Sequence, residues 1–246
     1  MGLEIALIVV GCLIALVGTA SLIVSGWLAF KYFRFNKIEN SAGLTGEEVA
    51  RKILDDNDLQ HIKVKVTGSI MFGNSYSHFF KKVRLRRFTR KEQSLTSLGM
   101  GAQKASLAIL DKEGDPDMQK RIKLYPIITF GPFAFIPLIL IGTALDFFVF
   151  NQTGICVYIL GTLGLLLYVY AVVLAVLTLK TEKKAQEKAY EILQRENLAN
   201  EEELGNLKEL FHLYNVQYIN DIILSSLELI YTLLEIAIAV AKNSND

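Results

Sequence analysis

Four stretches of the chain carry no Lys or Arg: residues 5–30, 127–150, 154–179 and 219–241. They are 26, 24, 26 and 23 residues long, each longer than the ~20 residues a helix needs to cross hydrocarbon. Between them lie two long polar segments, 31–126 and 180–218, and a three-residue link, 151–153. The pattern predicts an α-helical polytopic membrane protein. It has four transmembrane helices, a small α+β cytoplasmic domain and a cytoplasmic helical hairpin. The expected order is transmembrane helix 1 (1–30), an α+β region (31–126), helix 2 (127–150), helix 3 (154–179), cytoplasmic helices (180–218) and helix 4 (219–241).

The polar segments have periodicities of their own. Thr45 followed by Glu48 is a capping box, and Val49, Ile53 and Leu54 form the buried stripe of the helix it starts. Residues 61–66 alternate, with Ile62, Val64 and Val66 on one face and Lys63 and Lys65 on the other. Residues 82–86 alternate again through Val83 and Leu85. Turn chemistry at Gly68 and Gly73-Asn74 lies between, so a small hairpin or sheet is expected. Residues 94–110 return to helical spacing, with Leu95, Leu98, Ala102, Ala105 and Ile109 on one face, and Gly114-Asp115-Pro116 ends the run. Pro132 and Pro137 predict a kink in the second span. The third span continues into a charged helix at about 180–196, with Ala185, Ala189 and Ile192 facing one way. Asn200 with Glu203 caps a further helix carrying Leu204, Leu207, Leu210 and Phe211, which leads into the fourth span. In the first span, Gly11, Ala15 and Thr19 recur every four residues, either as a ridge for close helix approach or as ordinary small-residue content. Trp27, Tyr32 and Phe33 suit a membrane interface.

Composition narrows the class. The 246 residues are 52% hydrophobic, with mean hydropathy +0.34 and net charge +1. A secreted domain, a disordered tail and a nucleic-acid binder are excluded as primary readings. Of the 26 Lys and Arg, 19 fall in 31–126 and 6 in 180–218, many beside a span: Lys31, Arg34 and Lys37; Lys120, Arg121 and Lys123; Lys180, Lys183 and Lys184. Basic flanks stay on the cytoplasmic side. Both polar segments are therefore expected in the cytoplasm and both termini outside, in a multi-pass plasma-membrane protein. Cys12 and Cys156 both lie in expected spans, so neither a disulfide framework nor a cysteine zinc site follows. Val9-Val10-Gly11-Cys12 lacks the basic n-region of a lipidation signal, and the first span reads as an uncleaved anchor. Asn151-Gln152-Thr153 matches a glycosylation sequon in a loop too short to stand clear of the bilayer.

Chemistry is sparse. Gly99-Met100-Gly101 is only a fragment of a nucleotide-binding loop. His61, His78 and His212 are scattered. Asp221, Glu228 and Glu235 recur every seven residues and fall on one stripe of the fourth span, and Asp146 lies near the end of the second. A carboxylate at mid-bilayer costs at least ~2.5 kcal/mol, so the stripe should face protein or water, or Glu228 and Glu235 should be protonated. It reads as a docking face, an ion or proton path, or a polar seam packed inside the bundle with Asn220, Ser225 and Thr232.

Four features together resemble the membrane-bound neutral zinc metallopeptidases of bacteria, the YugP type. They are Gly-Leu-Thr-Gly-Glu-Glu-Val-Ala-Arg-Lys-Ile-Leu at 43–54, Val83-Arg84-Leu85 after Tyr76, the helix 94–110, and a long span leading into a glutamate-bearing helix after Leu179. The resemblance covers nearly the whole chain and implies a peptidase-like α+β region. The family's zinc helix carries HExxH, whose two histidines share a face and whose glutamate activates water. Laid onto this chain, the first His position holds Gln103, the Glu position Lys104 and the second His position Leu107. The upstream Asp-His-Tyr-Asp becomes Asn74-Ser75-Tyr76-Ser77, and a downstream glutamate, a third ligand in the family, falls on Glu182. Lys104 and Glu182 are either solvated helix charges or a pair with the ammonium standing near the metal position.

The expectation is a degenerate, non-catalytic member with no metal and no cofactor. It would act as a scaffold, adaptor or regulatory subunit in a membrane protein complex, beside other membrane proteins such as an active relative or a larger assembly, in contact with the lipid bilayer and not with nucleic acid. The alternatives are an active membrane peptidase and a proton or cation pathway subunit.

Overall fold

The computed structural model describes residues 2–67, 73–150 and 154–243, without the side chains of Pro132 and of residues 239–243. The expected turn at Gly68 and the sequon at 151–153 lie outside the described residues. In chain order the elements are α1 (Gly2–Phe35), α2 (Gly46–Asp55), β1 (Lys63–Val66), β2 (Ser75–Ser77), β3 (Lys82–Leu85), α3 (Arg87–Lys91), α4 (Leu95–Lys112), α5 (Pro116–Leu145), a π-helical turn (Asp146–Phe150), α6 (Ile155–Arg195) and α7 (Glu201–Asn243). The protein is mostly helical, and the chain divides into two compact units. Met1–Leu22, Lys123–Thr178 and Tyr218–Asp246 form one; Ile23–Ile122 and Leu179–Gln217 form the other.

Among the described residues, three helices are long and apolar enough to cross a membrane: Gly2–Phe35, Phe133–Phe150 and Ile155–Arg195. The fourth apolar stretch lies within α7. In the first unit α5 continues through Pro132 and Pro137. Its pairing with α6 depends on glycine. A Cβ added at Gly142 would lie 2.7 Å from Val157 Cα, and one at Gly164 2.9 Å from Phe135 Cα. Close backbone approach is how helices associate where burial gives no hydrophobic gain. Of the glycines on α1, only Gly11 would bring a Cβ near a neighbour, Tyr231; Ala15 and Thr19 are exposed, and Thr19 donates back to the Ala15 carbonyl at 2.7 Å. Ala15 and Thr19 thus do not extend the expected ridge.

In the second unit α2 starts at the expected capping box. Thr45 Oγ1 accepts from Glu48 N, and Thr45 N donates to the Glu48 carboxylate at 2.8 Å. Val49, Ile53 and Leu54 are buried. The sheet runs β1–β3–β2. Of the expected small hairpin or sheet, the two alternating runs form part of a sheet. β1 and β3 pair in parallel, Val64 opposite Val83, and the hairpin is β2–β3, with Tyr76 opposite Val83. Ser75-Tyr76-Ser77 offers one apolar side chain, too few for alternation to register.

The one-sided stripe expected for α4 is corrected. Every residue from Leu95 to Leu110 is buried, because α2, α3, β2 and β3 surround it. A Cβ at Gly101 would lie 2.5 Å from the Gly46 carbonyl oxygen, and one at Gly99 would collide with Leu207. The two glycines set aside as a loop fragment are thus close-packing positions. Leu98, Leu193, Leu207, Leu210 and Phe211 complete the core.

Candidate functional site

Helix α4 begins at Ser94, whose Oγ accepts from Ser97 N at 3.1 Å, and carries Gln103 and Lys104 into the interior. Their exposures are 4% and 7%. A buried ammonium needs a counter-charge, and it has one. Lys104 Nζ donates to Glu182 Oε2 at 2.7 Å, and Gln103 Nε2 donates to the same oxygen at 3.0 Å. Arg121 donates to Glu182 Oε1 at 3.1 Å and to Thr181 Oγ1 at 2.7 Å. The two helix charges are therefore a pair and not solvated separately. Arg121, read from sequence only as a membrane-flanking basic residue, is its third member.

Burial alone would raise the Glu182 carboxyl, but the Lys104 ammonium and the Arg121 guanidinium outweigh it and hold it down at about 2. Both carboxylate oxygens are occupied by donors. Leu107 packs in an apolar patch with Leu110, Met118 and Ala185 and offers no lone pair. Among the described residues, no group of three or more His, Cys, Asp or Glu side chains is placed to hold a metal ion.

A second polar cluster lies in the same unit, and sequence reading missed it. Asp111, at the end of α4, accepts from Tyr76 Oη at 2.6 Å and from Gln119 Nε2 at 3.1 Å, and it meets His78 Nδ1 at 2.6 Å. Burial pulls the Asp111 carboxyl up, but these three bonds bring it below its ordinary value. Burial and Asp111 together push the Tyr76 hydroxyl far up, so it stays protonated. His61, His78, Lys81 and Asp111 line a cavity of about 370 Å³. Tyr76 is the residue retained from the upstream family element; His78 follows that element by one position, and no spacing rule links it to Asp111.

The carboxylates of the second and fourth apolar stretches separate into different environments. Asp146 is 6% exposed, and its two oxygens accept from the backbone N–H groups of Cys156 and Val157, both at 2.9 Å. It caps the start of α6, satisfying donors that a helix N-terminus leaves open. Asp221 receives a hydrogen bond from Ser21 Oγ at 3.4 Å and lines a cavity of about 190 Å³ with Tyr168 and Ser225. Glu228 and Glu235 are exposed, so the stripe does not form a packed seam.

The comparisons with known proteins agree with the resemblance read from residues 43–182. The family described as "Putative neutral zinc metallopeptidase" matches residues 8–237. The "Putative membrane protease YugP" of Bacillus subtilis (strain 168) is 26% identical over 220 residues, covering 86% of this chain and 91% of that protein. No solved structure matches. With the match running from the first span into the last helix, the chain belongs to the neutral zinc metallopeptidase family.

Proposed function

We propose that this chain is a member of its family that has lost zinc chemistry and serves as a scaffold, adaptor or regulatory subunit of a membrane protein complex. The supporting observation is the state of Glu182: Lys104, Gln103 and Arg121 take both of its oxygens. An ammonium where a water-activating carboxylate should stand repels a dication, and leucine at the second histidine position supplies no ligand. A zinc site needs three or four N, O or S donors, so these residues do not fit the ion. The reading includes a fourth span at 219–241, both termini outside and both polar segments in the cytoplasm. It also includes membrane proteins as the partners that cover Glu228 and Glu235.

The test is metal analysis of full-length protein purified in mild detergent, with cleavage of an unfolded peptide substrate assayed with and without chelator. Zinc well below one ion per chain and no chelator-sensitive cleavage are expected. One tightly held zinc per chain, or cleavage abolished by chelator, overturns the proposal. Chains that co-elute identify the complex.

A second reading, an active membrane peptidase, is favoured by the likeness to the Bacillus protein named as a putative membrane protease, and the same measurement decides it. A third, an ion path along the acidic stripe, predicts proton or cation flux in liposomes that Glu228→Gln abolishes.

A further inference from the structure

Residues 81–91 read Lys-Lys-Val-Arg-Leu-Arg-Arg-Phe-Thr-Arg-Lys, seven basic residues and no acid. The structure places the end of this run beside the point where α1 leaves its apolar stretch. Tyr32 Oη and Thr89 Oγ1 are 3.2 Å apart, and Tyr32 lies two residues past the apolar run 5–30, about 3 Å along a helix. Further along, Asn36 bonds Glu92 and accepts from Ser94 Oγ, and Leu95 N donates to the Ile38 carbonyl at 2.8 Å. Beyond this the pairing is antiparallel, Glu39 bridging Ser94 and Asn40 N donating to the Gln93 carbonyl at 2.9 Å, and Thr96 Oγ1 returns to the Tyr32 carbonyl at 3.2 Å, so it is the Tyr32–Thr89 contact that holds α3 at the level where α1 leaves its apolar stretch.

That level of α1 carries exposed aromatic side chains. Trp27, Phe30 and Phe33 are 51%, 54% and 64% exposed, and Phe88 is 66% exposed. Aromatic belts of this kind mark the headgroup layer. On α3 the buried Thr89 faces Tyr32, while Arg87, Phe88 and Lys91 are exposed; Lys91 lies four residues from Arg87 and three from Phe88, so it neighbours both on the helix surface. Arg90 is spent on Glu47 at 2.6 Å. Among the described residues no ion pair engages Arg86, Arg87 or Lys91. Three unpaired cations around an exposed phenyl ring are complementary to a surface that is negative outside and apolar just beneath.

We propose that Arg86, Arg87 and Lys91 bind the headgroups of anionic phospholipid while Phe88 enters the layer below, so that α3 rests on the bilayer surface. Cationic side chains near an anionic leaflet are attracted electrostatically, and an apolar ring adds burial. The proposal rests on α1 crossing the membrane and not on the loss of zinc chemistry.

The test uses the full chain with Trp27→Phe and Phe88→Trp, which leaves one tryptophan, at position 88. It is reconstituted into vesicles of phosphatidylcholine alone or with phosphatidylglycerol, the acyl chains brominated as quenchers. Blue-shifted emission, quenched more strongly by brominated phosphatidylglycerol than by brominated phosphatidylcholine, is expected. Replacing Arg86, Arg87 and Lys91 by Gln should lower that preference about fivefold per charge removed, with helical content by circular dichroism unchanged. Unquenched, water-like emission in both vesicles overturns the proposal, including the case where α3 serves an acidic protein instead. Equal quenching by the two lipids overturns the assignment to anionic headgroups. Vesicle insertion confirmed by protease protection of the spans separates either failure from a chain that never entered the membrane.

Discussion

Lys104 and Glu182 stand 2.7 Å apart across 78 residues of sequence, at 9% and 18% side-chain exposure. An ion pair this enclosed is weak evidence for net stability, because desolvating two charges offsets much of their attraction. Removing one partner is another matter. Glu182→Gln leaves Lys104 and Arg121 facing each other without a counter-charge, and about 3 kcal/mol of stability should be lost. Lys104→Met should cost less, since Arg121 still neutralises Glu182. The double variant should cost less than the sum of the two, with a coupling of about 1–3 kcal/mol read from unfolding in mild detergent. Strict additivity would mean that the pair does not form. A charge swap at 104 and 182 should recover only part of the loss, because it sets a new cation against Arg121.

The same carboxylate sets an acid limit. The Glu182 carboxyl is held at about 2, below its ordinary 4.5. A group depressed on folding contributes stability that is present above its unfolded value and lost as pH falls through its folded one. The contribution, about 3 kcal/mol, should thus disappear between roughly pH 5 and pH 2. Unfolding temperature followed from pH 7 down to pH 3 should fall more steeply in the native chain than in Glu182→Gln. Some slope should persist in the variant, since Asp111 and Asp115 are also held below their ordinary range. Identical slopes would show that Glu182 is not held low.

How much of this was legible in the sequence follows from which forces act locally. Thr45–Glu48 and Asn200–Glu203 announce helix starts because a cap is a three-residue event, and both are in place. The apolar stretches are legible because a bilayer demands length. The direction of pairing between β1 and β3 was not, because alternation fixes which face is buried and says nothing of the neighbour. All-round burial of α4 was hidden for a related reason. Gln103 and Lys104 look like part of a polar face until Glu182, from another helix and held there by Arg121, arrives to meet them. Arg121 itself was read as a membrane flank, a role that three neighbouring basic residues fit equally well.

Glycine gives a prediction that spacing could not. Gly101→Ala on α4 would press a methyl group against the Gly46 backbone, 2.5 Å from its carbonyl oxygen. Neither backbone can give way cheaply, so a loss of about 3 kcal/mol is expected. Gly205→Ala on α7 meets nothing within 4 Å and should be stabilising by up to about 1 kcal/mol, through helix propensity alone. Thermal unfolding of the two variants side by side tests this. Similar shifts in both would refute the close contact between α2 and α4.

The Asp111 cluster provides the last test. Its carboxylate is held by a phenol, an amide and an imidazole, and the phenol bond at 2.6 Å crosses from β2 to α4. Tyr76→Phe removes one donor and no carbon atom, so the loss should be that of a hydrogen bond to a charged group, about 2 kcal/mol. With one of its three donors gone, the Asp111 carboxyl should rise toward its ordinary value. Tyr76 and His78 meet the same oxygen, Asp111 Oδ2, so Tyr76→Phe and His78→Gln should not add: the double variant should depart from the sum of the single ones by about 0.5–3 kcal/mol in thermal unfolding. Strict additivity would mean that Tyr76 and His78 do not meet at Asp111 in the folded protein.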